Sequence, residues 1–417
     1  MELVLPYGHT RQRAEVEDGR VIAQLRTPAC RGIEDTAQAF EQALANPAGP
    51  SLEEVVKRGD RVLVMTVDHT RPNPSDLLFR LLERIESLGG KPEIMIGLGN
   101  HRPMSDEELD RFLGTHQVHQ NAARDPQQWR LGTTTNGTPI EVSPVLRDFD
   151  KRIVMGFIEP HYIAGFSGGR KMILPACSSY ASTTHNHFLT LPHGPQLGRL
   201  RGNPVHEDML QAARAVGVHW ILDAVVNPDD SLCSLHAGEL ETAHYEGVQV
   251  ARHLYSHTVP QRADIVICSS GGYPYDVDMV QAKKTLAPAL ECVKPGGVVI
   301  LLGECERGWG ASEPEWALLR SETVLQKREE ITRSMAHNQL QDAWPPCSPG
   351  VLFSRLVHDV GASLIVVSRL NPQLKDTYLQ PADDLASALA LAEERVGKQS
   401  TILALHEGRR TICTVLS

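Results

Sequence analysis

Two apolar patterns alternate along this chain. Short runs of consecutive apolar residues, bounded by glycine, proline or polar clusters, have the length of buried strands. Longer stretches that are apolar every three or four residues have the period of amphipathic helices. Arg61–Val67 (RVLVMTV) is of the first kind and Ser75–Leu88 of the second. Ser75 is placed to cap that helix and Gly89-Gly90 closes it. Glu93–Leu98 (EIMIGL) is the next strand, and Ser105 to Glu108 reads as a capping box opening another helix. Arg152–Ile158 is a further strand, Val205–Val216 a helix, Trp220–Val226 a strand and Thr242–Tyr255 a helix. Strands alternating with helices predict α/β architecture with parallel sheets.

The flanking segments complete the picture. Residues 1–30 read as short strands with a hairpin turn at Asp18-Gly19, and Asp35–Ala45 as a helix. Residues 256–262 read as a linker. A second Rossmann-like run starts at Ala263 with a strand, a GGYPYD turn and helix Val280–Cys292. It continues through Pro295-Gly296-Gly297, a strand, a helical Leu356–Val360, strand Ser363–Val367 and helix Ala382–Val396. The tail 400–417 reads as strand, turn at Glu407-Gly408 and strand, expected to return to the first domain. The expected fold is two α/β Rossmann-like domains, 1–258 and 263–399, with the active site in the cleft between them.

Composition narrows the class. The 417 residues suffice for two domain cores. A net charge of -10 argues against a nucleic-acid surface, which needs a basic face. The eight cysteines (30, 177, 233, 268, 292, 305, 347 and 413) are scattered without a CxxC pair. They suggest neither a zinc ribbon nor a disulfide framework, so reduced thiols in a cytoplasm are expected. The N-terminal MELVLPYGHTRQ is no signal peptide, and no apolar run approaches the ~18 residues of a membrane span.

Chemistry concentrates in Glu159–His187, EPHYIAGFSGGRKMILPACSSYASTTHNH. His161 sits at the C-terminal end of the Arg152–Ile158 strand. Gly165, Gly168 and Gly169 allow a tight turn that presents N–H groups to an anion, and Arg170 and Lys171 add charge. His185 and His187 follow. The segment reads as a cofactor or metal site rather than an idle loop. Asp68-His-Thr70-Arg71-Pro ends the Arg61 strand, where Thr70 and Arg71 suit a phosphate. Asp68 there suits a ribose hydroxyl or orients Arg71. His101, in GNHRP, ends the neighbouring strand on the same sheet edge. Two imidazoles flanking one ligand could move protons on opposite faces. No GxGxxG follows the first strand, and neither GxSxG nor HExxH occurs.

The segments DHTRP, GNHRP, EPHYIAGFSGGRK, THNH, GNPVHEDM and HAGELETAH, in this order, resemble the nickel-pincer lactate racemase family. The likeness reaches the second domain through Gln281–Lys284 and Trp344. It implies a racemase or epimerase of a 2-hydroxy acid, working by proton-coupled hydride transfer to and from a nickel-pincer nucleotide through a bound 2-keto acid. That cofactor is a nickel pyridinium-3-thioamide-5-thiocarboxylic acid mononucleotide. By this resemblance Lys171 links the nucleotide as a thioamide, His187 is the nickel ligand, and His101 and His161 are the acid/base pair. Asp68, Thr70, Arg71, Gly168 and Gly169 hold the nucleotide. Arg71, Lys284, Gln281 and Trp344 hold the substrate. His185 is left as a bystander or a support. Partners implied are the small-molecule substrate and the enzymes that synthesise the cofactor.

Departures bear on the substrate. Val280 stands where the family pattern places a tyrosine, and Lys283 adds a cation beside Lys284, though helical geometry would point it elsewhere. Pro345-Pro346 follows Trp344, and His69 fills a variable slot. A lost phenol and added charge suit malate or another polar 2-hydroxy acid as well as lactate. The residues alone leave two other classes open. One is a histidine-ligated zinc metallohydrolase or lyase. The other is a non-catalytic cofactor carrier.

Overall fold

The computed structural model describes residues 1–113, 117–194, 196–310, 329–330, 333, 349–374 and 377–416. Two six-stranded sheets organise the chain. In the first, Arg61–Thr66 is flanked by Lys91–Ile96 and then Val118–Gln120 on one side. On the other side lie Lys151–Ile158, Trp220–Val226 and Leu232–Gly238. All neighbours are parallel except the last pair. The inner strands are apolar throughout because helices cover both faces: Val62–Met65, Ile94–Ile96 and Ile153–Met155 are fully buried. The chain order reverses between Arg61–Thr66 and Lys151–Ile158. At such a switch point a crevice opens beyond the strands' carboxyl ends.

The second sheet runs Gln380–Ala382, Ser363–Val367, Val293–Leu302, Ala263–Ser269, Ile402–Leu405 and Val21–Leu25, parallel throughout. This corrects the expected domain limits. The N-terminal Val21–Leu25 is an edge strand of the second domain, and Ile402–Leu405 lies inside that sheet rather than returning to the first. Only the following segment reaches back: Arg410 donates to the carbonyls of Asn227 and Pro228, and Ile412 packs beside Ile158 and Phe166. Residues 256–262 are no simple linker, since Ser256–Val259 pairs in parallel with Ile412–Val415.

Local corrections have local causes. The N-terminal hairpin turns at Gly8-His9, joining Glu2–Tyr7 to Thr10–Glu15, with Gly8 at φ +49°. Asp18–Arg20 is instead a short 3₁₀ turn whose Arg20 is tied to the Ser400 carbonyl at 3.0 Å. Ser75 does not cap its helix; Asn73 Oδ1 accepts the Ser75 N–H at 2.9 Å. The capping box holds: Glu108 accepts from Ser105 N at 2.9 Å while Ser105 Oγ accepts from Glu108 N at 3.3 Å. The helix expected over Val280–Cys292 is broken into Met279–Ala282, a 3₁₀ turn Lys283–Thr285 and Leu286–Cys292. Pro288 has no N–H for the Lys284 carbonyl, so the helix cannot run straight through.

Cys30 and Cys233 form a disulfide, which corrects the expectation that all thiols are reduced. Their separation of 203 residues hides the pairing from any spacing argument. Among the described residues no helix is long and apolar enough to cross a membrane.

Candidate active site

A cavity of about 440 Å³ lies between the sheets' carboxyl edges. From the first domain Asp68, Arg71, His101, His161, Gly168, Lys171 and His187 line it; from the second, Gln281 and Lys284 do. Nine residues singled out along the sequence therefore share one wall system. Thr70 stands behind that wall, and Gly169 packs against His244, which a Cβ there would approach to 3.0 Å. Trp344 lies outside the described residues. Lys283 lines the cavity too, contrary to the expectation from helical geometry.

Asp68 is an organiser. Its Oδ1 accepts from Thr70 N at 3.0 Å and Thr70 Oγ1 at 2.6 Å, a turn closed by a short acidic side chain. Its Oδ2 meets His101 Nδ1 at 2.6 Å. Burial works against its charge, but the His101 hydrogen bond, the nearby His101 and Arg71 charges and the Thr70 hydroxyl outweigh that and hold the carboxyl well below the ordinary range. Asp68 is thus ionised, and His101 carries its proton on Nδ1. With Nδ1 committed to the carboxylate, Nε2 is the ring nitrogen left to exchange a proton.

His161 has the reverse arrangement. Its Nδ1 accepts the backbone N–H groups of Ile163 at 3.4 Å and Ala164 at 3.3 Å. Burial first, then the charges of Lys171, Lys284 and Arg71, keep its pKa well below 6.5. The ring is neutral and its proton sits on Nε2. One imidazole can accept and the other can donate, a pairing suited to moving protons at two faces of one ligand.

Lys171 lies in the 3₁₀ turn Gly169–Met172, behind Gly168, whose φ is +81°. A Cβ on Gly168 would come within 2.8 Å of Ile158 Cγ1 and of Asp223 Oδ2, so only glycine fits this loop. Arg170 clamps the loop from beneath by donating to the carbonyls of Ala164 at 2.9 Å and Phe166 at 2.8 Å. Burial, then Arg71, Arg170 and Lys284, push the Lys171 amine far below its ordinary pKa. A neutral buried amine is a nucleophile rather than a surface cation. His187, on helix Tyr180–Phe188, is lowered to about 3 by burial and then by Lys171. It therefore offers a neutral imidazole. His185 turns away to Thr138 Oγ1 at 2.8 Å.

Arg71 donates to Thr70 O at 2.9 Å and Thr70 Oγ1 at 3.1 Å. Lys284 Nζ donates to Gln281 Oε1 at 2.5 Å. Burial, then Arg71 and Arg409, depress the Lys284 pKa strongly. A guanidinium and an amine in contact only with neutral oxygens among the described residues suit a bound carboxylate, whose charge would favour the protonated amine.

Arg409 escaped the sequence reading. It comes from the distant tail and meets Glu159 with both Nη atoms, at 3.2 and 3.4 Å. Arg410 joins the same carboxylate. No local spacing signals this pair, since Glu159 lies 250 residues away. Burial would raise the Glu159 pKa, yet Arg409 and Arg410 hold it at about 2. Its unfolded value is about 4.3. The stabilisation is thus fully present above that pH and is lost as pH falls towards 2. Denaturant unfolding should show Glu159→Gln losing most stability at pH 7 and progressively less as the pH falls from 4 towards 2; an equal loss at pH 7 and pH 2 would contradict this assignment.

An interdomain cleft at two sheet edges, lined by basic side chains and paired imidazoles, is the layout of an α/β enzyme. Residues 7–198 match the lactate racemase N-terminal domain and residues 258–413 the lactate racemase C-terminal domain. The chain belongs to the lactate racemase family and is an isomerase. It is 29% identical to the lactate racemase of Thermoanaerobacterium thermosaccharolyticum, over 97% of each chain. It is equally 29% identical to that of Lactiplantibacillus plantarum, again over 97% of each. The solved apoprotein of the Thermoanaerobacterium enzyme superposes with a TM-score of 0.88 at 27% identity, covering 99% of this chain and 100% of that one. A Thermotoga maritima protein shares the fold at a TM-score of 0.65 and 17% identity, covering 87% and 95%.

Proposed function

We propose that this chain racemises or epimerises a 2-hydroxy acid with a nickel-pincer nucleotide held by Lys171 and His187. The observation that carries the reading is the convergence of a neutral lysine amine, a neutral histidine and two oppositely poised imidazoles on one cavity. The family's relatives act on lactate and one is solved as an apoprotein, a form defined by a missing non-protein group.

The residues fit that group. Among the described residues no set of three or more His, Cys, Asp or Glu side chains could hold a metal ion. A metal at His187 must bring its other ligands with it, as a pincer does, and softer donors with one imidazole suit Ni(II). The same geometry gives no support to a three-histidine zinc hydrolase. Gly168 would let the nucleotide approach the backbone, and Asp68 and Thr70, which brace Arg71, would help hold it. When bound, the nucleotide supplies a reversible hydride acceptor, chemistry that no side chain offers.

The chain's own groups do the rest. Arg71 and Lys284 hold the carboxylate. His101 takes the hydroxyl proton through Nε2 on one face, and His161 returns a proton through Nε2 on the other. The flat 2-keto acid stays gripped by its carboxylate between the two half-reactions, so it turns over without escaping. A carrier would have no use for the Asp68–His101 pair.

The test is intact mass and metal analysis of protein co-expressed with the cofactor-synthesis enzymes, a Lys171 peptide map, and chiral assays of lactate and malate. Malate belongs in the panel because Lys283 lines the cavity and Val280 leaves it without a phenol there. A nucleotide-sized adduct on Lys171, stoichiometric nickel and racemisation of either acid are expected. Colourless zinc protein without adduct and without racemisation would end this reading.

A further inference from the structure

A recess of about 20 Å³ lies behind His161. It shares Arg71, His161, Tyr162, Ser167 and Lys284 with the large cavity, so it forms a deeper corner of the same cleft. What it adds is Glu159, Pro160 and Arg409. The volume suits one water molecule or one carboxylate oxygen.

Three basic side chains from two domains meet at this corner. Arg71 comes from the first sheet's edge, Lys284 from the broken helix of the second domain, and Arg409 from the tail. Among the described residues Glu159 is the one acidic residue lining the recess, and it is already shared between Arg409 and Arg410. Arg410 is further matched by Asp230 at 2.7 Å. The Arg409 side chain is only 11% exposed, and its plane lies 3.5 Å from the Tyr275 ring centroid. Its two Nη atoms are spent on Glu159, while its buried Nε has no acceptor among the described residues. A guanidinium fixed on two sides, with a donor left over at a cationic corner, is built to receive an anion.

We infer that Arg409 is a positioning residue for the substrate: with Arg71 and Lys284 it forms the subsite that grips the carboxylate, and Glu159 sets the angle of its fork. This rests on the reading of the cleft as a 2-hydroxy acid site. The depressed pKa of Lys284 agrees, since burial and then two neighbouring guanidiniums oppose its charge until an anion arrives. Because Arg409 and Glu159 belong to different domains, the subsite is complete only when the domains are docked.

The test compares Arg409→Gln and Arg409→Lys with the wild-type cofactor-loaded protein. Three things are measured: lactate kinetics, propionate binding by saturation-transfer NMR, and thermal unfolding. Propionate keeps the carboxylate and lacks the hydroxyl, so it reports the subsite without turnover. Arg409→Gln should raise the lactate KM and the propionate Kd at least tenfold, with kcat altered less than threefold. Arg409→Lys keeps the charge and should recover most of both. Equal propionate affinity in wild type and Arg409→Gln would overturn the inference. So would a fall in kcat at unchanged KM in both variants, which a merely structural role would produce. The propionate titration of Arg409→Gln is run below its own unfolding midpoint, so that a lost subsite is separated from a lost fold. Should wild type bind propionate in an Arg409-dependent way yet racemise no 2-hydroxy acid, the subsite stands and the racemase reading falls.

Discussion

Lys171→Ala is expected to leave a folded protein that carries no covalent nucleotide and racemises at least 10³-fold more slowly. The physical argument starts from burial. An amine enclosed beside Arg71, Arg170 and Lys284 is costly to protonate, so its lone pair is available near neutral pH. Alanine removes that nucleophile and leaves no other amine in its place on the turn Gly169–Met172. Folding should survive because the loop is held by Arg170 from beneath and not by Lys171. The checks are intact mass, nickel content and turnover on one preparation. An adduct persisting in Lys171→Ala would place the link elsewhere. Loss of activity with adduct and nickel both retained would make Lys171 an electrostatic group only.

Asp68→Asn is expected to lower kcat by about 10²–10⁴ with the adduct still present, the range for removing a group that aligns an acid/base histidine. The substitution keeps the shape and removes the charge. The 2.6 Å contact to His101 Nδ1 now selects the ring's tautomer because the partner is a carboxylate. An amide can present either N–H or C=O, so His101 loses the instruction that leaves Nε2 bare. The turn to Thr70 should persist, since an amide oxygen still accepts from Thr70 N. Chiral turnover with mass spectrometry checks both halves. Activity within threefold of wild type would show that Asp68 serves the nucleotide rather than His101.

Part of this protein was legible from local pattern alone. Strands such as Arg61–Thr66 and Lys151–Ile158 declare themselves because a parallel strand covered on both faces must be apolar at every position. His101, His161 and Asp68 were placed at strand ends by the same pattern, and strand ends in such sheets face the ligand crevice. The GFSGGRK turn revealed itself through glycines that no other residue could replace.

The tertiary structure decided the rest. Strand pairing between Val21–Leu25 and Ile402–Leu405, the Cys30–Cys233 bond and the Glu159–Arg409 ion pair join segments hundreds of residues apart. No local period encodes which distant segment will be a neighbour; that is chosen by how two sheets close on their cores. Lys283 shows the same limit at short range: its place beside Lys284 on a helix predicts another direction, and only the folded chain puts both on the cleft. The chain's own sequence thus specified the chemical parts and the edges that carry them. Which charges stand together, and therefore which of them are neutral, was settled only when the two domains met and excluded water from the space between.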